Sequence, residues 1–100
     1  MPEFCLVVSC PISAEEGLLD VLLDAVGDSS FTSVPAFSHG AAQRGQSPAD
    51  QVMGRSASVQ MQILLTEQGL KDLLQRLRDE FRGAGLRWWV SLLATQGWIE

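Results

Sequence analysis

The side chains able to do chemistry in this 100-residue chain are few: one histidine, two cysteines, three tryptophans and seven basic residues. His39 is the most versatile of them, because neutral imidazole ligates Cu, Zn, Ni or Co and changes charge near neutral pH. A metal needs several donors, and Asp50, the nearest acid that follows, lies eleven residues on. His39 is therefore a metal ligand only with donors from another subunit or from a distant part of the chain, and is otherwise a polar contact. Cys5 and Cys10 are five positions apart in one apolar run. On a strand they point to opposite faces with Cα atoms about 17 Å apart, too far for a mutual disulfide. Two buried thiols in a reducing compartment is the simpler reading, with a metal assembled across subunits as the alternative.

Catalysis finds little support. No spacing of Ser, Cys and His implies a nucleophile with its base, no glycine-rich phosphate motif is present, and Glu15-Glu16 reads as the acidic first turn of a helix. The expectation is a protein that is not an enzyme. A net charge of −5 argues against nucleic acid, which needs a basic stripe. Arg76, Arg78 and Arg82 cluster, but beside Asp79 and Glu80, as a solvated face that pairs its own charges. The adjacent Trp88 and Trp89 fall on opposite faces of a strand. One belongs to the core, and the other, Trp89, packs at a subunit interface or offers a stacking platform. Trp98, near the end of the sequence, has the same two readings.

Six elements must position these residues. Residues 4–10 are apolar on both parities and form a central strand. Ser13 with Glu16 reads as a capping box for a helix over residues 14–26, closed by Gly27. Residues 31–38 form a strand that Pro35 confines to an edge. Residues 40–56 follow no period and hold three glycines, three glutamines and one proline. A connection this long is usually functional. It either reads a ligand or partner or simply joins two strands, and Arg44 and Arg55 are its donors for an anion. From Ser58, Val59, Met61, Ile63 and Leu65 alternate with Gln60 and Gln62 in a half-buried strand. Thr66 caps a second helix in which Leu70, Leu73, Leu74, Leu77 and Phe81 recur at helical spacing, and residues 86–94 form the last strand.

The order strand, helix, strand, strand, helix, strand gives an α+β, ferredoxin-like βαββαβ fold over residues 1–100: one four-stranded antiparallel sheet with two helices on one face. The uncovered face would carry Cys5, Val7, Gln60, Gln62 and Trp89, too apolar to leave wholly in water, and a closed oligomer would bury it. No apolar run is long enough to span a membrane and no basic segment opens the sequence, so direct membrane insertion is not expected and the chain reads as cytoplasmic.

This layout resembles the PII signalling proteins and their CutA relatives, which are trimers. Gln43-Arg44-Gly45 stands where PII proteins begin their effector-reading T-loop with Gln-Lys-Gly. Ser38-His39-Gly40, Gln51-Val52-Met53-Gly54-Arg55 and Arg87-Trp88-Trp89-Val90 are similar to a family of small bacterial PII-like proteins whose genes often sit near heavy-metal efflux systems. Gly97-Trp98-Ile99 resembles the Trp-Ile of CutA that helps hold the trimer together. The resemblance implies a homotrimeric regulatory protein whose loop, through Gln43, Arg44, Gly45, Gln51, Gly54 and Arg55, binds a small ligand or divalent metal. That loop would engage a protein target, a metal-efflux transporter among the candidates. A CutA-like metal binder and a structural oligomer without ligand are the alternatives. One departure matters. PII proteins cradle ATP phosphates in a Gly- and Lys-rich connection, whereas here it is only Arg82-Gly83-Ala84-Gly85-Leu86-Arg87. That argues against ATP and leaves Arg82 and Arg87 as contacts for another anion.

Overall fold

Strand β1 (Phe4–Pro11) runs through the middle of the molecule because it is apolar on both sides: Leu6, Val8 and Cys10 are buried on one face and Val7 on the other. The computed structural model that shows this describes residues 2–27, 29–40 and 55–100. Strands β2 (Thr32–His39), β3 (Arg55–Leu65) and β4 (Arg87–Leu92) complete a four-stranded sheet in the order β2-β3-β1-β4. Every neighbouring pair is antiparallel, with Leu6 opposite Ile63 and Val90, and Val8 opposite Met61 and Trp88. Helices α1 (Glu15–Val26) and α2 (Glu67–Glu80) complete the expected βαββαβ order.

The core forms where the helices meet one sheet face. Leu18 and Leu22 of α1, Leu73, Leu74 and Leu77 of α2, and Leu6, Val8, Met61 and Ile63 of the sheet make one buried cluster. Burying each such side chain stabilises the fold by roughly 1.5–3 kcal/mol relative to leaving it in water. Thr66 caps α2 as its position predicts, its hydroxyl oxygen accepting from the Gly69 N–H at 3.1 Å. Ser13 does not cap α1. Residues Ile12–Ala14 form a 3-10 turn that leads straight into the helix, so Ala14 occupies the cap position and no side chain bonds there. Gly27, which closes α1, takes φ +58°, a value glycine reaches without a Cβ penalty.

Three further expectations are corrected. Strand β3 begins at Arg55 rather than Ser58, because Ser56 and Ser58 are buried small residues that pair with Ser38 and Ala36 of β2. The aperiodic stretch therefore ends two residues sooner than its composition suggests. Neither Trp88 nor Trp89 enters the core: Trp88 lies on the helix side of edge strand β4 yet is 44% exposed, and Trp89, on the other side, is 37% exposed. The arginine cluster divides. Arg76 pairs with Glu80 at 2.8 Å and with Asp24 of α1 at 2.6 Å, while Arg78 lies over the Trp88 ring, 5.9 Å from its centroid.

Candidate functional site

The antiparallel order gathers the ends of all four strands. β1 and β2 finish where β3 and β4 start, so Pro11 faces Ser58, His39 faces Arg55 and Ser9 faces Arg87 across adjacent strands. A cleft of about 210 Å³ opens there, lined by Ser9, Cys10, Pro11, Ser38, His39, Gln60, Gly85, Arg87 and Trp89. It is built for polar contact. Ser9 and Gln60 come from the central strands, His39 and Ser38 from one edge, and Arg87 and Trp89 from the other.

The cations of this end are held by aromatic faces rather than by carboxylates. Arg55 sits 4.3 Å from the centroid of Phe37, and Arg87 sits 5.5 Å from that of Trp89. Among the described residues neither guanidinium makes an ion pair. Both keep their donors for an anion, in the forked geometry that suits carboxylate, phosphate or bicarbonate. The Ser38 and Ser58 hydroxyls lie 3.3 Å apart and link β2 to β3 beside the cleft.

Cys10 contributes little chemistry. Burial, then the charge of Glu15, raises its thiol to about 11, although a hydrogen bond at Val59 works the other way. It stays protonated at neutral pH, a poor nucleophile and a poor metal ligand. Among the described residues no group of three or more His, Cys, Asp or Glu could hold a metal ion, and His39 has only Cys10 beside it in the cleft.

The sites anticipated from sequence come together in part. His39, Arg87 and Trp89 line one cleft, and Arg55 pairs opposite His39 without joining that lining. Arg82 does not join them: it lines a separate groove on the helix side, so the two arginines of the 82–87 connection serve different surfaces. Trp98 lies at the opposite end of the sheet, 86% exposed, near Pro2 and Leu64. Gln43, Arg44, Gly45, Gln51 and Gly54 lie outside the described residues. Sequence reasoning missed Ser9, Ser38 and Gln60 as lining residues. Parity placed Gln60 on the open face, but only the pairing register brings it beside Ser9.

A family model described as Protein of unknown function (DUF3240) matches residues 1–100. A crystal structure of a DUF3240 family protein from Shewanella baltica OS155 superposes with a TM-score of 0.79 at 15% identity, covering 100% of this chain and 99% of that one. CPII from Thiomonas intermedia K12, a nitrogen regulatory PII-like protein bound to ADP, AMP and bicarbonate, gives 0.72 at 18% identity over 99% of this chain and 98% of its own. A putative PII-like signalling protein from Thermus thermophilus gives 0.67 at 19% identity over 93% and 88%. No curated protein matches the sequence. The sheet order, the helices and the full-length family match agree, and the chain belongs to the DUF3240 family, with the fold of the PII-like signalling proteins.

Proposed function

We propose that the protein is a PII-like regulator, not an enzyme, that senses a small anion in the cleft at the strand ends and signals through residues 41–54. The observation that carries this reading is the convergence of His39, Arg87 and Trp89 in one polar cleft, with His39 and Arg55 at the two roots of that segment. Arg87 supplies the charge within the cleft, His39 and Gln60 further polar contacts, and Trp89 a flat wall, while Arg55 stands opposite His39 outside that lining. Gln43, Arg44, Gly45, Gln51 and Gly54 would then meet the ligand or the partner protein. A transporter for heavy-metal efflux is the partner class suggested by the family resemblance. The regulator would act as a cytoplasmic homotrimer with Trp89 and Trp98 at or near the subunit contacts.

Bicarbonate, AMP and ADP are the first ligands to test, since CPII, of the same fold, is bound to them. The short connection between α2 and β4 favours the smaller anions over ATP. Isothermal titration should give saturable binding for at least one of the three, weakened about tenfold by Arg87→Ala, the loss of one charge-assisted contact. Silence from all three up to millimolar concentration would refute the anion reading. The second reading, a divalent-metal site, is favoured by the presence of His39 and Cys10 in the same cleft, and it requires further donors from a neighbouring copy. Copper, zinc, nickel and cobalt titrations of wild type and His39→Ala decide it, with equal affinities removing the metal reading. Native mass spectrometry of protein from its own host reports stoichiometry and retained ligand together.

A further inference from the structure

A second recess, which shares only Gly85 with the strand-end cleft, lies on the helix side between α2 and β4. Its volume is about 400 Å³, within the range of small-molecule sites. Leu74 and Leu77 form a buried floor, Phe81 one wall and Trp88 the other. Trp88 pairs with Val8 and shares its parity, yet Val8 is fully buried while the indole stays 44% exposed. The half-exposed indole therefore borders the groove over an apolar floor, with the Arg78 guanidinium 5.9 Å from its ring centroid, so that an incoming ring would share the indole with that cation.

The rim carries charge of one sign. Arg78 and Arg82 line the groove, and among the described residues neither makes an ion pair. The nearby acids are engaged elsewhere: Glu80 accepts from Arg76 at 2.8 Å and Asp79 from Gln75 at 3.0 Å. The carbonyl end of α2 repels anions, so any attraction for one must come from these two guanidinium groups.

We propose that this groove binds a small aromatic carboxylate. The ring would stack on Trp88 above Leu74 and Leu77, and the carboxylate would take paired N–H donors from Arg78 and Arg82. The apolar floor selects a ligand with a flat hydrophobic body, and the paired cations require an anionic head. The inference does not rest on the anion site proposed above, whose two β4 residues, Arg87 and Trp89, lie on the opposite face of that strand from Trp88.

The test follows the three tryptophan indole N–H signals of the ¹⁵N-labelled full chain by NMR while naphthalene-2-carboxylate is added. The signals are assigned from Trp88→Phe, Trp89→Phe and Trp98→Phe. The Trp88 signal should move saturably, and the uncharged naphthalene-2-carboxamide should bind at least tenfold more weakly. Arg78→Gln and Arg82→Gln should each weaken the carboxylate about tenfold, while Lys71→Gln, which removes the same charge on an exposed turn of α2, should not. All three substituted side chains are surface groups, so the variants should keep the wild-type far-UV spectrum. Equal binding of acid and amide, an unmoved Trp88 signal, or full affinity in both arginine variants would each overturn the proposal.

Discussion

Cys10 illustrates how a single side chain links burial to the pH dependence of the fold. Its thiol is raised from the ordinary 9.0 to about 11, chiefly by burial among Leu6, Val8 and the helices, and secondarily by Glu15. An acid whose folded value lies above its unfolded one is held neutral by the fold. It stabilises fully below about pH 9, and this contribution disappears as pH climbs from 9 to 11. The chain has no tyrosine, so few other groups titrate in that window. Urea unfolding at pH 8, 9, 10 and 11 should show stability falling across the upper part of the range for wild type. Cys10→Ala should flatten that slope while lowering stability at pH 8 by the small cavity it leaves. Thr66 is the corresponding residue for α2. Thr66→Ala should cost about 1 kcal/mol in the same measurement, since the Gly69 N–H loses its acceptor.

Helix α2 is the element the sequence describes best, and its energetics should follow its pattern. Leu77→Ala removes a side chain buried against the sheet and should cost roughly 2–5 kcal/mol in urea unfolding. Leu23→Ala, on the exposed face of α1, should stay within about 0.5 kcal/mol. Sidedness of this kind was legible because it repeats: four apolar positions of α2 and four of β3 recur at the period their backbone imposes. What depended on a single residue was less legible. Ser13 and Glu16 have the spacing of a capping box, but Pro11 and the 3-10 turn that follows it set the helix start one residue later. Trp88 has a core parity, yet β4 is an edge strand and α2 lies over β1 and β3, so parity did not become burial. Ser56 and Ser58 read as loop and surface because burial of small residues leaves no hydrophobic signal. The candidate site was half legible for a related reason. His39, Arg87 and Trp89 were singled out by type, but their meeting in one cleft follows from strand register, which no local pattern encodes.

At the scale of the molecule the two sheet faces divide the work. Both helices cover one face, and on the other Val34, Leu64 and Trp89 are accessible beside the buried Val7, with Trp98 and Ile99 exposed at one end. An antiparallel sheet can leave one face in water when that face is polar. This one is mixed, with serines and glutamines interspersed, which suits an interface better than bulk solvent or a second core. Covering it by neighbouring copies would place the strand-end cleft beside a subunit boundary, while the groove between α2 and β4 would keep facing outward. The proposed homotrimer therefore makes a definite demand on Trp89. Sedimentation velocity should give a trimer for the wild-type chain, and Trp89→Glu, which puts a charge on the open face, should release monomers at micromolar concentration. The same variant should retain the wild-type helical far-UV signal, because Trp89 is not part of the helix-side core. A trimer that survives both Trp89→Glu and Trp98→Ala would move the subunit contact off this face, most directly to the edges of β2 and β4. Of these, β2 carries Pro35 in the middle of its run and so offers the poorer ladder for a neighbouring strand.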